Sequence, residues 1–296
     1  MKLKHATLAL TALSLAVASQ SQAALVYGLS TRNQLVTFDS ATPDTLMSAG
    51  FLRGMAANEA IINIDMRPAT GEIFALGSFG NLYKVNTNTL MVNAVGPLVN
   101  QANNMPIMLS GVEFGFDFNP TVDRIRITSD QDQNLRANPA NGITFVDGTL
   151  NNSGGGNPNI VGSAYTNNDI DPNTGTTLYN IDSVTNMLTS QAPPNNGTQN
   201  NVGFLGVDVS ALAGFDILTE GSRNTAFAAF QTAGEFESKF YTVNLGTGAA
   251  SLVGTIGMSQ SADSLAIRDI AVVPEPGTIA ALGLGALLLL RRRRKA

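Results

Sequence analysis

Four aspartates recur in this sequence, mostly between apolar neighbours, and their type and spacing suit the binding of a cation. They stand in the tripeptides Ile64-Asp65-Met66, Phe116-Asp117-Phe118, Val207-Asp208-Val209 and Arg268-Asp269-Ile270. In a strand, the neighbours of each aspartate face the opposite side, so the four carboxylates are predicted to share one environment. If that side faces a common axis, they offer oxygen ligands to a divalent cation. The alternative is that each aspartate accepts backbone N–H bonds from the turn that follows it.

A second candidate site is the stretch DIDPNTGTT, residues 169–177, which resembles the start of a calcium-binding loop. Asp169, Asp171 and Asn173 place oxygen-bearing side chains two residues apart, as such a loop requires. The glycine, however, falls at the seventh position where the sixth is expected, and the twelfth position is Asn180, where a glutamate is expected. These three residues are the predicted metal ligands, and an ordinary turn of Asp, Asn, Pro and Gly is the alternative.

A third candidate is a basic cluster, which stands out in an acidic domain. Arg124 and Arg126 lie on one face of a predicted strand, and Asn134 and Arg136 lie on the neighbouring strand. Guanidinium groups in this arrangement bind a carboxylate or an array of sugar hydroxyls. The alternative is a ladder of salt bridges with Asp117, Asp123 and Asp130. The predicted ligand-binding residues are therefore Asp117, Arg124, Arg126, Asn134, Arg136 and Asp208.

Histidine and cysteine are almost missing from the chain, which excludes several classes of chemistry. There is no cysteine, and the single histidine, His5, lies in the N-terminal leader. The domain that follows therefore lacks the groups for Ser-His-Asp or Cys-His catalysis, for histidine-ligated metals and for thiol redox chemistry. Acid–base catalysis by carboxylates remains open, but no spacing selects a pair. The sequence favours a non-enzymatic role and predicts no cofactor other than calcium.

The net charge of −5 conceals a much more acidic central domain. Seven of the 17 basic residues lie at the two ends, as Lys2, Lys4 and the run 291–295. Residues 24–273 then carry 10 basic and 21 acidic residues, which gives a charge near −11. This charge argues against nucleic acid as a partner and suits divalent cations or neutral, hydroxyl-rich ligands.

The elements that must position these residues are short alternating strands, with no long helical pattern. The segment NIDMRPATGEIFALGSFGNLYKVNTNTLMVNAVG (63–96) is repeated in part at 34–50, 176–190 and 236–257. The four aspartates are separated by 52, 91 and 61 residues, and VGSAYTNND (161–169) lies where the wide gap needs another strand. A period near 50 residues with four strands per unit predicts an all-β fold, a β-propeller of five blades, with six blades, a β-sandwich or a β-solenoid as alternatives.

The two ends of the repeat region complete each other. The first unit, LVYGLSTRNQLVTFD, lacks its first strand, and the last unit, SLAIRDIAVV, is a first strand alone. The C-terminal strand is therefore predicted to complete the first blade and close the ring, which hides two sheet edges.

Both ends of the chain carry segments typical of an exported protein. Residues 1–23 combine basic residues, an apolar run and the small residues Ser21 and Ala23, which predicts a secretory signal peptide. Residues 277–290 form an apolar run that predicts a short transmembrane helix, and the arginines after it are expected to stay in the cytoplasm. The domain boundaries are therefore predicted as 1–23, 24–273 and 274–296.

The tail VPEPGTIAALGLGALLLLRRRRKA (273–296) resembles a PEP-CTERM sorting signal. This resemblance implies export through the Sec pathway with signal peptidase, transient anchoring in the inner membrane, and removal of the tail by exosortase in a Gram-negative bacterium. It assigns the sorting role to Pro274, Glu275, Pro276, Arg291, Arg292, Arg293 and Arg294. It also implies a final location at the cell surface or outside the cell, with exopolysaccharide or surface proteins as partners.

The central region, above all GVEFGFDFNPTVDRIRITSDQDQNLRANPANG (111–142) together with FDI (215–217), resembles an uncharacterised bacterial family of propeller-like domains. That family supplies a fold and no activity. The sequence thus predicts an exported binding or matrix protein. The alternative is a calcium-assisted propeller enzyme that acts on carbohydrates or lactones.

Overall fold

Five antiparallel sheets surround a common axis in the computed structural model, which describes residues 23–274 apart from 170, 172 and 259–264. Each innermost strand contacts the innermost strands of two neighbouring sheets, and these contacts run once around the ring. The fold is therefore a five-bladed β-propeller, as predicted from the repeat.

Blade 1 is built from both ends of the described chain, and blade 2 follows it. From the axis outwards, blade 1 contains β22 (Ile267–Val273), β1 (Leu25–Ser30), β2 (Gln34–Asp39) and β3 (Thr42–Phe51). Blade 2 contains β4 (Ile61–Met66), β5 (Ile73–Gly77), β6 (Asn81–Asn86) and β7 (Met91–Pro97).

Blades 3 and 4 each carry a fifth, two-residue strand at the outer edge, which the sequence analysis did not predict. Blade 3 contains β9 (Phe114–Asn119), β10 (Arg124–Ser129), β11 (Asn134–Ala137), β12 (Ile143–Val146) and β8 (Val99–Asn100). Blade 4 contains β14 (Ile160–Tyr165), β15 (Leu178–Asp182), β16 (Met187–Gln191), β17 (Thr198–Phe204) and β13 (Asn151–Asn152), with a 3-10 turn at Pro194–Asn196. Blade 5 contains β18 (Val209–Glu220), β19 (Arg223–Thr232), β20 (Ser238–Val243) and β21 (Ala250–Thr255).

The ring is closed by the last strand, as predicted. β22 pairs antiparallel with β1, from Leu25 opposite Val273 to Ser30 opposite Ile267. Without this pairing, β1 would present an open edge to the axis, and blade 1 would lack its innermost strand.

The hydrophobic core lies between the faces of adjacent blades. Phe38 of blade 1 meets Phe240 of blade 5 edge-on, with ring centroids 5.1 Å apart. Phe74 of blade 2 meets Phe118 of blade 3 in the same way at 5.3 Å. Each of these aromatic contacts adds about 0.5–1.5 kcal/mol beyond the burial of the rings. The core therefore joins blade to blade around the whole ring.

One strand assignment from the sequence is wrong. Asp208 lies in the exposed loop before β18, and Asp216 occupies the aspartate position on the innermost strand of blade 5. The gap from Asp117 to Asp216 is 99 residues, close to two periods of 50, and the gap from Asp216 to Asp269 is 53 residues, close to one period. The strand expected at VGSAYTNND is confirmed as β14, where Ala164 aligns with the aspartates of the other blades.

The predicted leader and most of the predicted sorting tail, residues 1–22 and 275–296, lie outside the described residues. In the part of the chain that is described, no helix is long and apolar enough to cross a membrane.

Neighbouring blades approach each other so closely at the axis that three innermost strands carry a glycine. Gly115, Gly162 and Gly214 each lie two residues before the position that an aspartate occupies in blades 3 and 5. At Gly214, an added Cβ would lie 2.8 Å from three backbone atoms of Asp269 and Ile270 on β22. Backbone atoms cannot move aside as a flexible side chain would, so β18 and β22 need glycine here.

We predict that Gly214→Ala lowers the free energy of unfolding by about 1–3 kcal/mol, the usual cost of forcing an extra carbon into a packed site. Gly175→Ala is the matched control, because an added Cβ at Gly175 meets nothing within 4 Å. Urea unfolding of the full-length chain measures both. An equal effect of the two substitutions would show that the two strands do not depend on close approach.

Candidate functional site: a carboxylate cluster on the propeller axis

Three aspartates from three blades meet on the axis of the ring. Asp65 on β4, Asp117 on β9 and Asp216 on β18 each place a carboxylate oxygen within 4.8 Å of the other two. The three residues are only 5%, 4% and 3% exposed. Of the four carboxylates predicted to converge, Asp65 and Asp117 therefore do so, Asp216 takes the place predicted for Asp208, and Asp269 lies outside this group of three.

The same aspartates join neighbouring blades through the backbone. The innermost strand of each blade has a sheet partner on one side only, so some of its N–H groups point away from the sheet and are buried without a ladder partner. The carboxylate of the preceding blade accepts these bonds: Phe118 N to Asp65 Oδ2 at 2.8 Å, Tyr165 N to Asp117 Oδ1 at 3.1 Å, and Val272 N to Asp216 Oδ2 at 2.5 Å.

Backbone hydrogen bonds to the aspartates, the predicted alternative to convergence, occur together with it. One backbone donor to each of Asp65, Asp117 and Asp216 belongs to the next blade. The prediction had placed these donors in the turn that follows each aspartate. Asp65 and Asp216 also accept from the residue after them, Met66 and Ile217, both at 2.6 Å.

Asp269 on β22 is the fourth axial aspartate, and it holds an asparagine that the sequence analysis missed. Its Oδ2 accepts the backbone N–H of Ile64 at 3.0 Å and the side-chain Nδ2 of Asn63 at 2.9 Å. Asn63 Nδ2 also donates to the carbonyl oxygen of Phe114 at 2.8 Å. Asn63 thus connects blades 1, 2 and 3 next to the carboxylate cluster.

The cluster is electrostatically unfavourable when all its members are ionised. Burial raises the pKa of Asp65, Asp117 and Asp269 well above the ordinary aspartate value, and repulsion by the other axial carboxylates raises it further. Burial raises the pKa of Asp216 to about 6, although its two backbone hydrogen bonds act in the opposite direction. These carboxylates therefore need protons or a cation to offset their charge.

Arg126, Asn134 and Arg136 of the predicted basic cluster lie together around Asp147, whereas Arg124 donates within its own turn. The central member of the cluster is fully engaged inside the protein. Arg126 is 1% exposed. Its guanidinium donates to the hydroxyl of Tyr165 and to side-chain oxygens of Asn134, Asp147 and Asn195, at distances from 2.6 to 3.3 Å. The network ties the turn at Pro194–Asn196 of blade 4 to blade 3.

The prediction that the arginines pair with Asp117, Asp123 and Asp130 is wrong. Arg136 donates hydrogen bonds to both carboxylate oxygens of Asp147, at 2.6 and 3.0 Å. Asp147 also forms a salt bridge with Arg126. Asp123 instead pairs with Arg67 of blade 2. Arg124 donates to the carbonyls of Val122 and Asp123 in its own turn. Asp147 was missed because it lies 21 residues beyond Arg126, outside any strand pattern.

The remaining predicted site residues lie apart from the axis. Asp208 is exposed and accepts a hydrogen bond from Asn186 Nδ2 at 3.2 Å. In the predicted calcium loop, Asp169 Oδ1 accepts from the backbone N–H of Asp171, and Asp171 Oδ1 accepts two bonds from Asn173. These bonds build a turn, and calcium binding by this loop stays a prediction.

Two family models match the chain. A model described as "Domain of unknown function (DUF4394)" matches residues 34–271, and a model described as "PEP-CTERM protein-sorting motif" matches residues 272–295. The second match indicates export to the cell surface through exosortase. It starts at Val272, the last residue but one of β22, which is the strand that closes the ring. No curated protein is significantly similar to the chain in sequence.

Many solved structures are distantly similar. Hydrazine synthase from Kuenenia stuttgartiensis is 13% identical with a TM-score of 0.37, and the alignment covers 70% of this chain and 53% of that one. A protein of unknown function from Bacteroides thetaiotaomicron is 11% identical with a TM-score of 0.46, covering 70% and 53%. Glutaminyl cyclase from Myxococcus xanthus is 13% identical with a TM-score of 0.42, covering 71% and 83%.

The chain spans about half the length of the first two of these structures. Because the TM-scores of these three structures are below 0.5, the fold is assigned from the sheet order of the chain itself.

We predict that the protein in chelator becomes less stable as the pH rises from 4 to 7. Between pH 3.8 and about 6, Asp216 has lost its proton in the unfolded chain and keeps it in the folded one. The unfolded state then binds fewer protons, so the free energy of unfolding falls with pH. The stabilisation from Asp216 is complete below pH 3.8 and is lost as the pH passes about 6, a change of about 3 kcal/mol.

Asp216→Asn removes this titration and keeps an oxygen that can accept backbone hydrogen bonds. Burial raises the pKa of Glu113 to about 7. Glu113 therefore also lowers the free energy of unfolding as the pH rises, in the unaltered protein and in the variant alike. The difference between the two urea-unfolding series across pH therefore reports the titration of Asp216 together with its repulsion of Asp65, Asp117 and Asp269. A variant with the same pH dependence as the unaltered protein would contradict the electrostatic description of the cluster.

Proposed function

We propose that this chain, which belongs to the family described as a domain of unknown function (DUF4394), is a non-enzymatic binding protein of the cell surface and extracellular matrix. The description of the family names no activity, so the proposal rests on the export motif and the geometry of the chain. The observation that carries this proposal is the sorting motif at 272–295, which follows directly on a closed ring. The domain is complete before the tail begins, so removal of the tail releases a whole propeller.

The geometry of the axis supports a binding role over catalysis. The one group of three carboxylates found in the described residues is buried, and its oxygens accept hydrogen bonds from neighbouring strands. A substrate cannot reach these groups without separating the blades. The alternative function, a calcium-assisted enzyme on carbohydrates or lactones, needs a metal that is open to substrate, and the buried cluster does not favour it.

A polar groove on blade 5 suits a neutral, hydroxyl-rich ligand. It has a volume of about 520 Å³ and lies at the end of the ring where β19 begins and β20 ends. Arg223, Asn224, Thr242, Asn244 and Ser251 contribute a guanidinium, two amides and two hydroxyls to its lining. Such groups form hydrogen bonds with sugar hydroxyls, and we propose that exopolysaccharide is the ligand.

The sorting proposal predicts that Glu275→Ala leaves the full-length tail on the protein in the membrane fraction. The unaltered chain is expected to lose the tail and leave the membrane, provided that the host contains exosortase. Glu237→Ala, an exposed glutamate in a turn of blade 5, is the control and should be processed normally. Mass spectrometry of the C-terminus measures the outcome. Unaltered protein that keeps both ends and stays in the cytoplasm would contradict export.

The ligand proposal predicts that the full-length protein binds exopolysaccharide purified from the producing cells, and that Arg223→Ala weakens this binding about tenfold. Arg32→Ala is the control, because Arg32 is exposed in the turn between β1 and β2, at the opposite end of the ring. An array of neutral oligosaccharides identifies the sugar. Failure to bind the polysaccharide or any sugar on the array, or equal losses in the two variants, would refute the proposal.

A further inference from the structure

We propose that the propeller axis binds one calcium ion through Asp65, Asp117 and Asp216. This site goes beyond the proposed surface role and does not depend on it. Asp117 was predicted to bind a ligand and the axial carboxylates to bind a cation. The structure adds Asp216, the arrangement of the oxygens and the role of Asn63.

The spacing of the three carboxylates suits calcium. Calcium binds oxygen ligands at about 2.3–2.6 Å, so two oxygens on opposite sides of the ion are about 4.6–5.2 Å apart. One oxygen from each aspartate lies within 4.8 Å of the other two. Oxygens within this limit can share one calcium ion with at most small rotations of the aspartate side chains. Magnesium, at about 2.0–2.1 Å and in strict octahedral geometry, needs a tighter set of ligands.

An independent observation from Asn63 points to a ligand at the same place. Its side-chain oxygen Oδ1 is buried and has no hydrogen-bond donor. The amide cannot be turned around to correct this. Nδ2 already faces two acceptors, Phe114 O at 2.8 Å and Asp269 Oδ2 at 2.9 Å, and a rotated amide would place its oxygen against both. The structure thus fixes Oδ1 as an acceptor without a donor.

Asn63 lies on one of the strands that carry the cluster. Asn63 lies two residues before Asp65 on β4, so both side chains stand on the same face of the strand. The two strands that Asn63 contacts also meet the cluster: Phe114 lies on β9 with Asp117, and Asp269 lies on β22, where Val272 N binds Asp216. A cation in the cluster supplies the missing partner for an oxygen whose burial is otherwise unfavourable. Three carboxylates and one amide oxygen are ligand types that calcium prefers.

The charges near the site require the same partner. In the part of the chain that is described, no lysine or arginine forms a hydrogen bond or ion pair with the four axial aspartates. The nearby guanidinium of Arg126 is occupied by Asp147, Asn134, Asn195 and Tyr165. A divalent ion on the axis therefore supplies a positive charge that none of these side chains provides.

The test is calcium binding by the full-length chain in mild detergent. Because the site is enclosed, bound ions are removed by unfolding in chelator and refolding. We expect calorimetry to show one calcium bound per chain on the axis. Calcium at about 100 times its dissociation constant should raise the melting temperature by about 5–10 °C, and magnesium should raise it less. Asp117→Asn should abolish this rise while keeping an acceptor for Tyr165 N, and should melt above the unaltered protein in chelator because one repulsive charge is gone.

Asp171→Asn is the matched control, because Asp171 lies in the exposed loop that resembles a calcium site. It should keep the calcium response of the axis. A response that is lost in Asp171→Asn and kept in Asp117→Asn would place the ion in the loop and overturn the proposal. If Asp117→Asn fails to fold, calorimetry on the unaltered chain shows whether one calcium ion binds per chain. No calcium binding by the refolded chain, with a melting temperature indifferent to calcium and chelator, would also overturn it.

Discussion

The hydrogen bonds from backbone N–H groups of one innermost strand to an aspartate of the preceding blade are the interaction on which the structure depends. Every blade ends at the axis in a strand with a neighbour on one side only, and its free N–H groups are buried there. Asp65, Asp117 and Asp216 satisfy N–H groups of this kind and at the same time connect blade to blade. A short acidic side chain is suited to this role because it accepts strongly and reaches across a narrow gap.

That solution creates a second problem, because the acceptors are brought together. In a ring of five blades the innermost strands are so close that Gly214 faces the backbone of β22 directly. The carboxylates are forced within 4.8 Å of one another in a place that water barely reaches. The arrangement that satisfies the backbone therefore accumulates negative charge, and protons or calcium must offset it. The axis is in this view a structural element, and recognition of other molecules takes place on the outside of the ring.

Much of the fold was predictable from the sequence, for physical reasons. Strand alternation and a period near 50 residues arise because each blade is one repeated unit, and the lone strand SLAIRDIAVV revealed the ring closure. The convergence of aspartates followed from the same repeat. Its register failed in blade 5, because Val207-Asp208-Val209 has the same alternating pattern as Phe215-Asp216-Ile217. β18 is twelve residues long, and its pairing with β19 shifts between Val209 and Ala213, which no local pattern shows. Spacing alone could have identified Asp216.

The partners of the buried polar groups were not predictable. Asp147 and Asn195 bind Arg126 from a loop and from another blade, and Asn63 meets Asp269 across 206 residues of sequence. These contacts depend on how blades pack. The most direct test of the account is a high-resolution crystal structure of the protein grown in calcium, with anomalous scattering measured. The account predicts one anomalous peak on the axis, about 2.3–2.6 Å from an oxygen of Asp65, Asp117 and Asp216. An axis without a peak, with pairs of carboxylate oxygens at the short distance of a shared proton, would contradict it.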